Sequence, residues 1–572
     1  MIYRVDIASK RVQCEPFPAA WERLGGRGLT SAIVSAEVPP SAWPLGEKNR
    51  LVLAPGLLGG SGASSSGRLS VGAKSPLTGG IKESNTGGRP GQMIARLGIR
   101  AIVFGGQAEK GKWLLAHVHR DGIDLLPADD LAGHDTYETS AALLERFGPK
   151  VGILCIGPAG EQRLAAANVA ASDIDGLPTR NAGRGGLGAV MGSMGLKAIV
   201  IEPTDAPVQT SADPERLAAA RRRFAQALLA HPSTGQSLPR FGTAALVSVI
   251  NALGGLPTRN FRQGEFEEAA RIDGQALYNT IVERKGRPTH PCMPGCVIRC
   301  SNTYPGPEGN ELTRGFEYES IVLLGSNCGI GDLDMLARLN RRCDELGLDT
   351  MEMGVTLGVC MEAGLLAFGD GPGAFALLEE VAQGTPLGRV LGQGAAVTGR
   401  VFGVRRVPQV KGQGMPAYDP RALKGTGLTY ATSPMGADHT AGNCLPGSAL
   451  PDGTKPDPHL RDRQVELSRY LQHLATIFDT LGLCWFTRAP ILADWTLLTD
   501  LLDAHCGGSW SQEMLFSLAQ ETLRREREYN RTVGYGPEHD ALPDFFQEEP
   551  LPPLGLRFDF DPTEVRSVLG DL

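Results

Sequence analysis

The chain has 572 residues, 42% of them hydrophobic and 21% charged, and a net charge of −7. That length exceeds what a single core organises, so two to four domains are expected. The charge argues against a nucleic-acid surface; no run of about 18 apolar residues offers a membrane span.

In chain order, residues 1–205 read as β-rich. Segments 2–7 and 11–15 alternate around a polar turn, as a hairpin does. Short apolar runs follow at 51–53, 69–71, 101–104, 113–118, 151–156 and 197–201, and Asp121-Gly122 reads as a hairpin turn. Glycine-dense segments at 25–28, 59–62, 79–80, 87–88 and 183–188 read as loops between strands. A linker at 203–207 closes this part. Beyond it the period changes to that of helices, at 214–229, 333–346, 353–367, 374–381 and 464–483. The expected fold class is therefore α+β: a β-rich domain over 1–205, then two mainly α-helical domains over 206–405 and 406–572. The last helical unit should end near 530. The tail from 535, rich in Pro, Asp and Glu, is expected to wrap the surface.

The beginning of the chain lacks the basic, apolar and small-residue pattern of a signal peptide. Eleven cysteines in such a chain suit reduced thiols in a cytoplasmic setting, some of them metal-bound. Cys292, Cys296 and Cys300 lie close together and Cys484 lies far downstream. Three clustered thiolates and one remote one can hold a cubane iron–sulfur cluster. Structural zinc, with His290 as a possible fourth ligand, and buried unligated thiols are the competing readings. Pro294 and Gly295 oppose a continuous helix through the trio, so a loop passing into a helix is expected.

Two further patterns stand out. Asp344 to Asp349 and Asp479 to Cys484 both read Asp-x-x-Gly-Leu-(Asp/Cys), which suggests two similar half-sites; the plainer reading is two helix C-termini ending at glycine. Segments 62–68, 82–89 and 179–184 mix glycines, hydroxyls and arginines in a way that suits phosphate oxygens, without matching a Walker or Rossmann fingerprint. Glu319 and His439 are candidates for acid–base work.

Together these residues resemble the aldehyde:ferredoxin oxidoreductases, tungsten enzymes with a bis-pyranopterin cofactor. The resemblance rests on Gly25-Gly26-Arg27-Gly28-Leu29, Gly67-Arg68, segments 73–80, 156–161, 256–261, Tyr318-Glu319, segments 323–327, 417–421, 436–439 and both Asp-x-x-Gly-Leu repeats. It runs from the N-terminus to about residue 490 and carries little of the last 80 residues.

The resemblance implies a β-structured base beneath the cofactor and two helical domains covering it. It implies that Asp344 and Asp349 hold one pterin and that Asp479, with Cys484, holds the other. Arg68, Asn85, Ala182 and Gly183 match positions near the pterin phosphates, where Asn85 and the Ala182 carbonyl would help hold Mg2+. Cys292, Cys296, Cys300 and Cys484 would hold one [4Fe-4S] cluster, and Glu319 and His439 would stand beside the tungsten. The implied activity is oxidation of an aldehyde to a carboxylic acid, with electrons passing to ferredoxin or an iron–sulfur subunit. A homo-oligomer or hetero-complex is expected. Low-potential reduction of acids or aromatic thioesters on the same fold, or a non-catalytic iron–sulfur or zinc scaffold, are the alternatives. Three residues separate Cys292 from Cys296 where the best-known members have two, so molybdenum stays open as the metal.

Overall fold

The computed structural model describes residues 1–205 and 211–570. Of the expected linker, Ala206 and Pro207 lie outside the described residues.

Among the described residues the first part contains two six-stranded sheets. The first is built from β1 (Ile2–Asp6), β2 (Arg11–Glu15), β3 (Leu51–Pro55), β4 (Leu69–Lys74), β5 (Ile81–Thr86) and β6 (Ala101–Gly105), in the order β2-β1-β6-β3-β4-β5. The second holds β7 (Leu114–His119), β8 (Gly122–Pro127), β9 (Gly152–Cys155), β10 (Val169–Ala171), β11 (Arg180–Ala182) and β12 (Leu196–Ile201), in the order β8-β7-β12-β9-β10-β11. The two orders are the same pattern shifted by six strands. Pairing directions agree as well: β1–β6 and β7–β12 are parallel, while β3–β6 and β9–β12 are antiparallel. Helix Gly26–Glu37 precedes β3 as Thr136–Phe147 precedes β9.

Strand alternation explains the layering. Leu51, Leu53, Val71, Ile102 and Phe104 from one sheet share a core with Ala116, Val118, Leu154, Val169 and Ile199 from the other. The intervening Val52, Ala54 and Val103 face helix Gly26–Glu37, and Ile153, Cys155 and Val200 face helix Thr136–Phe147. The base is a sheet sandwich with a helix on each outer face.

Two sequence expectations fail here. The glycines at 25–28 start a helix rather than a strand connection. Gly26 has φ +43°, and a Cβ there would stand 2.0 Å from the Asp479 carbonyl oxygen, so glycine lets this helix abut another helix end. β5, Ile-Lys-Glu-Ser-Asn-Thr, is absent from the expected strands, which are all apolar runs; it is a largely buried strand whose polar side chains face ion partners and a cavity.

The helical region follows expectation more closely. Helices Pro214–Ala230, Leu333–Leu346, Gly371–Gln383 and Gln464–Leu481 lie where the periodicity places them. The helix expected at 353–367 runs Thr350–Glu362 instead. Asp349 caps its start by accepting from the Met351 N–H, and Gly364, at φ +75°, follows its end. The tail does not merely wrap the surface. Phe545, Phe546, Leu551, Phe558 and Phe560 are buried in the main helical core, and Phe546 meets the Phe261 ring edge-on at 5.8 Å. Its average composition is polar, but its aromatic residues are anchors. No helix among the described residues is long and apolar enough to cross a membrane.

Candidate functional site

Both Asp-x-x-Gly-Leu repeats are helix C-termini of one geometry. Gly347 (φ +70°) ends Leu333–Leu346, and the Leu348 N–H returns to the Cys343 carbonyl at 2.8 Å. Gly482 (φ +73°) ends Gln464–Leu481, and the Leu483 N–H returns to the Phe478 carbonyl at 2.9 Å. The plain reading of these motifs is therefore correct locally. What it misses is their placement. Each turn docks on the same place in its half of the sandwich: the Arg68 N–H, before β4, donates to the Gly482 carbonyl at 3.1 Å, and the Asn168 N–H, before β10, donates to the Gly347 carbonyl at 2.8 Å. Gly56 after β3 and Gly157 shortly after β9 make room, since a Cβ on either would come within 2.5 Å of the facing turn.

The aspartates that open the repeats meet equivalent asparagines. Asn85 on β5 donates its side-chain amide to Asp479 at 3.0 Å; Asn181 on β11 donates its amide to Asp344 at 3.3 Å. Burial pushes the Asp344 carboxyl up to about 7 and the Asp479 carboxyl up to about 6, with Arg27 and Arg68 pulling the latter back. The second oxygen of each is also met, that of Asp344 by the Asn340 amide at 3.1 Å and that of Asp479 by Arg27 at 3.5 Å.

A cavity of about 320 Å³ is lined by Asp344 and Asp349 from the first turn, by Arg68 and Asn85 in front of Asp479, and by Asn181, Gly183, Glu319 and His439, among others. Gly183 faces open space, with no heavy atom within 4 Å of the position a Cβ would take. Ala182 is buried with its side chain in the sandwich core, so only its backbone is available to a ligand. Arg68 donates to both the side-chain and main-chain oxygens of Asn85.

Glu319 and His439 come together from helix Tyr318–Leu324 and from the glycine-rich stretch. Glu319 Oε1 stands 3.6 Å from His439 Nδ1, and both atoms are buried without a hydrogen-bond partner. The other Glu319 oxygen accepts from the Ala417 N–H at 2.8 Å, which fixes the carboxylate. Burial raises the Glu319 pKa, and His439 pulls it back.

Residues not singled out by sequence hold this pair. Arg184 donates to Asp349 at 3.1 Å and to the Ala437 carbonyl at 2.8 Å; Lys82 bonds Asp438 at 3.1 Å. Burial alone would push Asp438 up, but Lys82 and Arg184 outweigh it and hold that carboxyl far below the usual range. Both cations sit in the polar segments noted as phosphate-like. Their role is to tie the loop carrying His439 to the base.

The cysteines also converge. The trio does not lead into a helix as expected: it occupies the connection between β13 (Arg287–His290) and β14 (Ser301–Pro305). Ser65 joins the distant fourth member to it. Its hydroxyl donates to Cys296 Sγ at 3.4 Å, and its carbonyl accepts from the Cys484 N–H at 2.9 Å. The Cys296 neighbour and burial hold the Cys292 thiol high, while the Cys292 neighbour lowers Cys296 to about 6 against the opposing effect of burial. Burial pushes Cys300 and Cys484 up.

The spacing bears on the metal. Four sulfurs around one zinc ion at about 2.3 Å would stand roughly 3.8 Å apart. Among the described residues, the sets of three or more ligating side chains with donor atoms within 4.8 Å of one another are His117–His119–Asp124 and Asp173–Asp175–His290, and neither contains a cysteine. His290 faces Asp175 at 3.2 Å, not the thiols. No three of the four thiol sulfurs lie within 4.8 Å of one another, a wider spacing than that around one zinc ion. The quartet also adjoins the cavity: a Cβ on Gly87, which lines it, would lie 3.6 Å from Cys292 Sγ.

Comparison with known proteins agrees with this arrangement. The family description "Aldehyde ferredoxin oxidoreductase, N-terminal domain" matches residues 2–203, and that for domains 2 and 3 matches residues 219–562. The likeness thus extends well past residue 490, where the sequence motifs fade. The tungsten-containing aldehyde ferredoxin oxidoreductase of Thermococcus kodakarensis is 36% identical over 570 residues, covering 96% of this chain and 91% of that protein. The protein of the same name from Pyrococcus furiosus is 34% identical with the same coverage. In fold, the chain is similar to a solved active-site complex, BamBC of benzoyl coenzyme A reductase with 1,5-dienoyl-CoA: TM-score 0.81, 19% identity, 100% of this chain and 93% of that one. On both family matches and these relatives, the chain belongs to the aldehyde ferredoxin oxidoreductase family.

Proposed function

We propose that the protein oxidises an aldehyde to the carboxylic acid: RCHO and H2O give RCOOH, two protons and two electrons. The observation that carries this reading is a cavity lined by Asp344, Asp349, Asn85, Glu319 and His439, with Glu319 Oε1 and His439 Nδ1 free of hydrogen bonds, and with Asp479 behind Asn85 and Cys292 behind Gly87.

A tungsten or molybdenum bis-pyranopterin fits the donors present. Asp344 and Asp349 would hold one pterin and Asp479 the other. Arg68, Asn85, the Ala182 carbonyl and Gly183 would take the phosphates and Mg2+, and Cys292, Cys296, Cys300 and Cys484 would take a [4Fe-4S] cluster. When bound, the metal centre supplies the two-electron oxidation and the cluster the one-electron exit. The chain does the rest. His439 orients the aldehyde oxygen by a hydrogen bond. Glu319 Oε1 accepts the proton of the water that becomes part of the acid; its raised pKa makes it a stronger base than an exposed carboxylate. The Ala417 N–H keeps that carboxylate aimed. In this reading residues 1–205 form the base, 206–405 bring the cysteine trio and the first aspartate turn, and 406–572 bring His439 and the second turn. The electron acceptor is a ferredoxin or an iron–sulfur subunit.

The test is anaerobic turnover of simple aliphatic and aromatic aldehydes with a viologen dye. Dye reduction with stoichiometric acid is expected. A metal-loaded protein that reduces no dye with any aldehyde, yet turns over an acid or thioester with a low-potential donor, would replace this reading.

A further inference from the structure

In a chain of net charge −7, two stretches carry no acidic residue: 216–264, with seven arginines, and 284–307, with three arginines and one lysine. The fold brings parts of both to the loop that holds the cysteine trio. The short helix Leu238–Phe241 packs on β13, where Thr289 donates to the Pro239 carbonyl at 2.8 Å, placing Arg240 beside that strand. On the other side, Arg221 lies against Gly62, two residues from Ser64, whose hydroxyl accepts from the Val297 N–H at 3.0 Å.

Within the loop, Pro294, Gly295 and Arg299 are exposed, and Cys292 is only partly buried. Arg216, Arg223 and Arg284 are paired with aspartates. Among the described residues Arg221, Arg240, Lys285 and Arg299 are exposed and make no ion pair. The acidic groups nearby are Glu283, Glu317 and Asp175; Glu317 is engaged by Thr243 and Arg180, and Asp175 is already shared by His290, Arg314 and Arg287. Val282 exposes 48% of its surface next to these cations, adding an apolar contact.

We propose that this basic collar is the docking surface for an acidic iron–sulfur protein, which receives electrons over the Cys292–Cys300 loop. The proposal rests on the aldehyde-oxidising reading for its electrons, and charge complementarity specifies the partner. Unpaired cations around an electron exit steer an acidic carrier and orient it, and such steering weakens with salt. A small cationic dye needs no such surface.

The experiment compares the holoenzyme with R221E/R240E, neither position being next to a cysteine, and with K455E on an exposed site elsewhere. The acceptors are a purified acidic low-potential ferredoxin and benzyl viologen. At about 20 mM salt the double variant should raise the ferredoxin KM by roughly tenfold or more. Its viologen turnover should match the parent, and K455E should change neither. Raising salt to about 300 mM should lower parental kcat/KM for ferredoxin steeply and that of the double variant little. A ferredoxin KM unchanged in the double variant at low salt overturns the proposal. Titration calorimetry of the same ferredoxin against both proteins reads the collar separately from turnover. Loss of viologen activity in the parent would refute the aldehyde reading, while equal calorimetric affinity of parent and double variant would refute the collar.

Discussion

Asn85 donates its side-chain amide to Asp479 at 3.0 Å, linking a strand of the base to a helix end nearly 400 residues away. The Asn181–Asp344 bond repeats it in the other half of the sandwich. Two copies of one strand pattern thus hold two copies of one aspartate turn: Asp344 lines the cavity itself, and Asp479 stands behind Asn85 and Arg68, which line it.

These carboxylates make the cofactor-free protein pH-sensitive. Asp344 is raised from an ordinary 3.8 to about 7 by burial. Between those values the folded chain keeps a proton that the unfolded chain releases, so stability is full at the acidic end and lost as pH rises through the window. Asp344→Asn should therefore stabilise cofactor-free protein at pH 8, by on the order of 2 kcal/mol, and do little at pH 4. Denaturant unfolding at the two pH values checks this. In loaded protein the same substitution should lower metal retention.

Glu319 and His439 are predicted to act on substrate rather than on assembly. Glu319→Gln and His439→Asn should keep metal and iron content while lowering kcat by about 10²-fold or more. Because burial raises Glu319, wild-type activity should fall on the acidic side as the carboxylate takes up its proton. Unchanged kcat in both variants would remove the assignment.

Ser65 links Cys484 to the trio by hydrogen bonds. Cys484→Ala should lose or destabilise the cluster, read by electron paramagnetic resonance of the reduced protein. An intact signal would strike Cys484 from the ligand set. Ser65→Ala should leave the cluster in place and shift its potential, because a hydrogen bond to Cys296 sulfur is lost.

The close approach of turn and strand is also testable. A Cβ on Gly56 would lie 2.1 Å from the Gly482 nitrogen, backbone against backbone. Gly56→Ala should destabilise the protein by about 1–3 kcal/mol and loosen Asp479, seen as a lower midpoint and reduced cofactor content. Gly111→Ala, open on all sides but at φ +81°, should cost less, about 1 kcal/mol.

Much of this was legible in the chain. Alternation placed β1 and β2, short apolar runs placed β3, β4, β6, β7, β9 and β12, and the helical period placed Leu333–Leu346 to the residue. The cysteine quartet and the paired Asp-x-x-Gly-Leu motifs were visible as spacing. Residues whose role depends on distant partners were not. β5 is polar because Lys82 and Asn85 reach Asp438 and Asp479, over 350 residues away. Arg184 looks like one more loop arginine until Asp349 and Ala437 are seen to share it. The tail's aromatics were hidden by its acidic average, since composition does not register which few side chains are buried.

The central claim is that both half-sites and the cysteine quartet are loaded together in one working centre. Metal analysis of anaerobically purified, aldehyde-active protein tests it most directly. The account predicts one tungsten or molybdenum and about four irons per chain, both lost with the activity when Asp344 and Asp479 are replaced by alanine. Active protein containing zinc but neither tungsten, molybdenum nor iron would contradict it.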